Sequence, residues 1–291
     1  MKLDVRDASF RYPTGVLALD GVSLMIGSGE AVALIGENGA GKTTLAKLLN
    51  GLLRPTAGSV LLDERDTRQH TPAQLSRFVG FVFQNPDDQL FARTVREEVA
   101  FGPRNQRLAD AEVQARVDRA LDEVELRAAA DRHPYDLTSP ERKLVALAAA
   151  LAMQTPALIL DEPTIGQDAS GVARLGALVD RLHAEGRTLI TITHDLDFCL
   201  EHFERVVVLA GGKILADGPG TDVLRRVDLL QQAQVEPPEL VQLALGLGWD
   251  TMVRTPEGFA DAWAEQRGAA ERTRQDDHRA GRPAGRPQPE D

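Results

Sequence analysis

The segment that most constrains this chain is Gly36-Glu37-Asn38-Gly39-Ala40-Gly41-Lys42-Thr43, which satisfies G-x-x-x-x-G-K-[ST] in full. It follows a short apolar run, Ala31–Ile35, and opens a stretch, Thr43–Leu53, with helical apolar spacing. Strand, glycine loop and helix in that order make a phosphate cradle. Glycines let the backbone N–H groups turn inward, and the helix N-terminus adds a partial positive charge. Lys42 would reach the β- and γ-phosphates of a nucleotide. The Thr43 hydroxyl would ligate Mg²⁺, and Thr44 can add a hydrogen bond to phosphate.

A second apolar run, Ala157–Leu160, ends in Asp161 and Glu162. Asp161 would hold Mg²⁺ through its water shell, since this ion keeps several waters and needs few protein ligands. Glu162 would then orient and deprotonate an attacking water. His194 follows the apolar run Leu189–Thr193. A histidine at the C-terminal end of a parallel strand sits on the ligand-binding edge of the sheet, where it could contact the γ-phosphate and steady Glu162. The expected catalytic residues are therefore Glu162, His194 and Lys42.

The rest of the chain supplies the frame. Leu3, Val5 and Phe10 alternate with polar residues before a Pro13-Thr14-Gly15 turn, so the chain opens with a strand. Val60–Leu62, Phe78–Phe83 and Val206–Leu209 predict further strands. Glu112–Val124 and Glu141–Met153 are helical in spacing, and residues 85–155 form a mainly helical insert. The fold expected is α/β: a phosphate-loop NTPase core, a small N-terminal β subdomain, an inserted helical subdomain and a C-terminal extension. The α/β domain is expected over 1–225, the extent of the family resemblance described below, a helical extension over 226–266, and a disordered tail over 267–291, where large apolar residues are almost absent.

Composition excludes several classes. A formal charge of −11 over 291 residues argues against an extended contact with nucleic acid. One cysteine, Cys199, permits no internal disulfide and suits a reducing compartment. MKLDVRDASF lacks the apolar core of a signal peptide. The longest apolar run, Leu144–Met153, falls short of the ~20 residues that span a bilayer.

With these motifs in order, residues 1–225 resemble the ABC ATPase family. The matching elements are the phosphate loop, a glutamine loop at Gln84, a signature at Leu137-Thr138-Ser139-Pro140-Glu141, Asp161-Glu162, a D-loop Asp168, and His194. The resemblance implies a head-to-tail dimer with ATP between the phosphate loop of one subunit and the signature of the other. It implies that Tyr12 stacks on adenine, and that Gln84 joins Thr43 and Asp161 at the metal and links it to the membrane partner. Phe83–Phe91 and Phe101-Gly102-Pro103 resemble the energy-coupling-factor subclass, importers of vitamins and of cobalt or nickel ions, as does the stretch from Pro237 onward. The implied partners are a second ABC ATPase subunit, a transmembrane coupling protein and a substrate-capturing membrane protein, with the chain peripheral on the cytoplasmic face of the membrane.

One departure stands out. The family signature usually reads Leu-Ser-Gly-Gly-Gln. Here Pro140 removes a backbone N–H and Glu141 adds a negative charge that should oppose a triphosphate. A lost donor to phosphate is worth about 1.5–3 kcal/mol. A heterodimer with one strong and one weak site tolerates this best, and a homodimer is the alternative. Competing readings are a soluble ABC ATPase acting on nucleic acid or ribosomes, the ATPase of a conventional importer or exporter, and a small-molecule kinase. The single ATPase domain without a heptad run, the glutamine-loop neighbourhood, and the signature and histidine elements weigh against these in turn.

Overall fold

The computed structural model describes residues 1–249 and 253–266. The chain divides into two units, Met1–Pro237 and one beginning at Pro238.

The first unit opens with β1 (Leu3–Arg11) and β2 (Leu17–Ile26), followed by β3 (Ala31–Ile35), α1 (Lys42–Leu49), β4 (Ala57–Leu62) and β5 (Arg65–Asp66). β1 pairs antiparallel with β2 on one side and β4 on the other, giving a sheet of order β2-β1-β4-β5. Leu3, Val5, Ala8 and Phe10 of β1 point inward. β2 has a weaker sequence signal because Gly21 and bulged pairing with β1 interrupt its alternation.

Next come α2 (Pro72–Leu75), β6 (Val79–Val82) and the helical insert, with α3 (Val95–Asn105), α4 (Asp110–Glu123) and α5 (Ser139–Ala152). The core resumes with β7 (Ala157–Asp161), α6 (Ala169–Ala184), β8 (Thr188–Ile192), α7 (Leu196–His202), β9 (Arg205–Ala210) and β10 (Lys213–Pro219). The second sheet has order β10-β9-β3-β8-β7-β6, parallel from β9 to β6. Every residue of β3, β7 and β8 is buried, as a sheet covered on both faces requires. β10 is antiparallel to β9 at the edge. Its residues are exposed or half-buried, so the apolar pattern that marks the other strands is missing.

Helix α1 lies against both sheets. Its Leu45, Ala46, Leu48 and Leu49 share one core with Val5, Phe10 and Leu24 of the antiparallel sheet and Val32, Leu34, Ile159 and Ile190 of the parallel sheet. Leu48 is fully buried there, and its truncation to alanine should cost about 2–5 kcal/mol. In the insert, the alanines of α5 allow close packing. Gly102 of α3 makes room for Met153, because a Cβ there would meet Met153 Cγ at 2.5 Å and force that side chain to shift.

The division between units falls later than the expected 225. The segments α8 (Gly220–Val223) and α9 (Val227–Gln232) belong to the first unit, where Leu230 and Ala233 are fully buried. The second unit contains α10 (Glu239–Gly246) and a helix over 256–266. Its small core is Ala244, Trp249 and Val253, with Trp249 stacked on Phe259 at 4.9 Å. The tail expected at 267–291 lies outside the described residues. Among those described, no helix is long and apolar enough to cross a membrane.

Candidate functional site

Strands β3, β8 and β7 are neighbours and parallel, so their C-terminal ends deliver three loops to one edge of the sheet. The loop after β3 and the start of α1 carry Gly36–Thr43, the end of β7 carries Asp161 and Glu162, and the loop after β8 carries His194. One cleft there is lined by Tyr12, Asn38, Gly39, Gly41, Lys42, Thr43, Thr44, Gln84, Asp161, Glu162 and His194. Residues expected together from distant parts of the chain are thus brought together.

The glycines of the loop meet specific demands. Gly36 has φ 145°, and a Cβ there would stand 2.0 Å from the Leu209 carbonyl oxygen. Gly41 has φ 102°, and a Cβ would stand 2.5 Å from the Ala18 carbonyl oxygen. The loop therefore closes only with glycine at both positions. Lys42 is buried, and its ammonium donates to the carbonyls of Gly36 at 2.7 Å and Glu37 at 2.9 Å. Burial pulls its pKa down, opposed by the facing carboxylates of Glu162 and Asp161.

Asp161 and Glu162 are both 3% exposed. Asp161 accepts a hydrogen bond from the Thr43 hydroxyl at 3.2 Å, while burial raises its pKa. Burial pushes the Glu162 carboxyl up to about 7, helped by Asp161 beside it and opposed by Lys42. Its Oε1 lies 3.1 Å from His194 Nδ1. Burial, then the charge of Lys42, lowers the pKa of His194, which favours the neutral ring.

Asp161 Oδ1 and Glu162 Oε2 are buried with no hydrogen-bond partner. Such atoms are costly unless a group absent from the chain itself satisfies them. The set facing the cleft, a threonine hydroxyl, an aspartate and the Gln84 amide, is the hard oxygen donor set that suits Mg²⁺ with retained waters. These residues fit that ion.

Tyr12 packs edge-on against Phe10, with ring centroids 4.9 Å apart, and shares a 3.0 Å hydrogen bond with the Thr44 hydroxyl. The signature residues and Asp168 do not line the cleft. Leu137 is buried, and Thr138 caps α5. The Glu141 carboxylate accepts from the Thr138 N–H at 2.8 Å and its hydroxyl at 2.7 Å, closing a reciprocal capping box. These bonds hold its pKa below the usual carboxylate range. Pro140 fits the first turn of α5, where a missing N–H is no loss to the helix itself. Asp168 caps α6, its carboxylate accepting from the Gly171 N–H at 2.7 Å.

The sequence model described as ABC transporter matches residues 19–165. The chain belongs to the ABC transporter family. Among relatives of this ABC chain is the energy-coupling factor transporter ATP-binding protein EcfA of Methanocaldococcus jannaschii. The two are 40% identical over 243 residues, covering 83% of this chain and 87% of the relative. Among solved structures, cbiO1 from Clostridium perfringens, part of the ABC transporter complex cbiONQ, superposes with a TM-score of 0.70 and 33% identity, covering 84% of this chain and 98% of that one. A dimeric ATP-binding cassette in a post-hydrolysis state, bound to ADP and Pi, has a TM-score of 0.69 and 27% identity, covering 75% and 98%.

Sequence reasoning alone missed Lys143. From α5 it donates to the main-chain carbonyls of Glu162 at 3.1 Å and Ile165 at 2.7 Å. A lysine in a charged first turn reads as solvated, and nothing local marks its target. Glu98 was equally silent. It is 3% exposed, and its carboxylate accepts from the N–H groups of Phe91 and Ala92 at 2.8 and 2.7 Å.

Proposed function

We propose that this chain is the ATP-hydrolysing subunit of an energy-coupling-factor importer, driving uptake of a vitamin or transition-metal ion through membrane partners. The observation that carries the reading is the convergence of Lys42, Thr43, Asp161, Glu162 and His194 on one glycine-walled cleft. The relatedness to EcfA of M. jannaschii and to cbiO1 supports the subclass.

In this reading the loop N–H groups and Lys42 cradle the triphosphate, which displaces the Lys42 ammonium from the Gly36 and Glu37 carbonyls. Thr44 adds a phosphate contact and Tyr12 stacks on adenine. Thr43, Asp161 and Gln84 would hold Mg²⁺, which would offset negative charge on the phosphates when bound. Glu162, with its pKa near 7, takes a proton from water as the water oxygen bonds to the γ-phosphorus and the bond to the ADP oxygen breaks. His194 orients the Glu162 carboxylate through the contact at Nδ1. Two subunits close around two MgATP, each nucleotide meeting the partner's signature and D-loop, and closure shifts the helical insert against a transmembrane coupling protein. A separate membrane protein captures the substrate, and the chain sits on the cytoplasmic face of the membrane.

The altered signature favours pairing with a different ATPase subunit. The Thr138 hydroxyl donates to the Glu141 carboxylate, so it is not free to donate to a partner's phosphate, and the carboxylate has no proton to offer in place of the amide of glutamine. Isolation of the chain from membranes with its partners tests the whole reading. Recovery with a ribosome, or alone, would overturn it. Within the assembly, ATP turnover measured after Glu→Gln replacement in each subunit tests the asymmetry, and equal losses would defeat it.

A further inference from the structure

Glu162 combines two features that need support. Its backbone is in the left-handed region at φ 51°, unfavourable for a residue with a Cβ. Its carboxylate must nonetheless stay aimed at the cleft. One restraint comes from the core: the Glu162 N–H donates to the Ile192 carbonyl of β8 at 2.7 Å. The other comes from the helical insert. Lys143, half-buried on α5, donates its ammonium to the Glu162 carbonyl at 3.1 Å and to the Ile165 carbonyl at 2.7 Å. A two-pronged charged donor of this kind fixes both ends of the turn that follows the catalytic pair.

We propose that Lys143 is a positioning residue for ATP hydrolysis, holding Glu162 in its left-handed conformation and tying its reach to the position of the signature helix. This rests on the assignment of Glu162 as the base. The cap and first turn of α5 hold Thr138–Glu141, and Lys143 lies two residues further along the same helix. Movement of α5 therefore acts directly on the main chain of Glu162, without passing through nucleotide. The opposite end of the same loop is held independently, by the Asp168 cap of α6. Lys143 controls the end nearest the chemistry.

The test is steady-state hydrolysis by the full-length chain in the assembly isolated with it, comparing Lys143→Met, Lys143→Gln and Lys143→Arg with Glu162→Gln. Methionine keeps the stem and removes the donors. It should lower kcat about tenfold or more, as a displaced base does, with KM for MgATP within about twofold. Arginine, which keeps charge and donors, should restore most of the rate. Glutamine, a neutral donor, should fall between, and it carries the measurement if the methionine variant does not fold. An unchanged kcat in the methionine or glutamine variant overturns the proposal. So does a loss of MgATP affinity parallel to kcat that arginine fails to rescue. Retained hydrolysis in Glu162→Gln instead overturns the assignment of the base.

Discussion

His194 Nδ1 stands 3.1 Å from Glu162 Oε1, with the glutamate buried and the histidine half-exposed. The ring thus meets a carboxyl whose pKa is pushed up to about 7 by burial. In the nucleotide-free chain, a carboxyl raised from 4.5 makes folding favour the protonated form. Between about 4.5 and 7 the folded chain keeps a proton that the unfolded chain has released, so this group's contribution to stability falls as pH rises through that window. Glu162→Gln removes the cost of burying the charge. Its gain in Tm over the parent should be larger at pH 8 than at pH 5, as thermal melts without nucleotide would read. An equal gain at both pH values would count against the raised pKa.

Lys42→Ala should weaken MgATP binding by about 10- to 100-fold, the worth of one or two charge-assisted bonds. The fold should persist, because in the nucleotide-free chain Lys42 bonds only to carbonyls of its own loop. Titration with a fluorescent ATP analogue checks the first expectation and a melting curve the second.

Tyr12 separates ring from hydroxyl. Tyr12→Phe loses only the bond to Thr44, and nucleotide affinity should stay within about threefold. Tyr12→Ala loses the stacking face and should weaken ATP binding about tenfold. Equal affinities for the alanine and phenylalanine variants would remove Tyr12 from the adenine site.

Glu141→Gln keeps the capping-box geometry and removes the charge, whereas Glu141→Ala removes both. The alanine variant should lose about 1 kcal/mol of stability. The glutamine variant should stay close to the parent in stability and raise ATP turnover of the assembled dimer several-fold. Unchanged turnover would mean that this signature does not limit the partner's site.

Phe91 is 63% exposed and Phe101 49%, and their rings meet edge-to-face at 4.8 Å. Paired exposed aromatics in the helical insert suit an apolar anchor from the membrane protein. Replacing both by alanine should leave ATP binding intact and abolish recovery of the chain with its membrane partner in a pull-down. Continued recovery would move the docking surface elsewhere.

Where a local pattern carries the information, the sequence alone was enough. The motif Gly36–Thr43 needs only its own residue types and a flanking strand and helix, and the apolar runs at 157–160 and 189–193 announce buried parallel strands by composition. Cleft residues read from those motifs could be named before any coordinates. The tertiary structure decided what has no local signature. β10 shows no apolar pattern because it lies exposed at the sheet edge, and the division at Pro237 depends on which core buries Leu230. Lys143 bonds to carbonyls that any residue type would present, and the state of Glu162 follows from burial and from neighbours on one strand, two helices and a loop. Hydrogen bonds to main chain and desolvation depend on position in space rather than on residue identity, so they emerge only once the strands are assembled side by side.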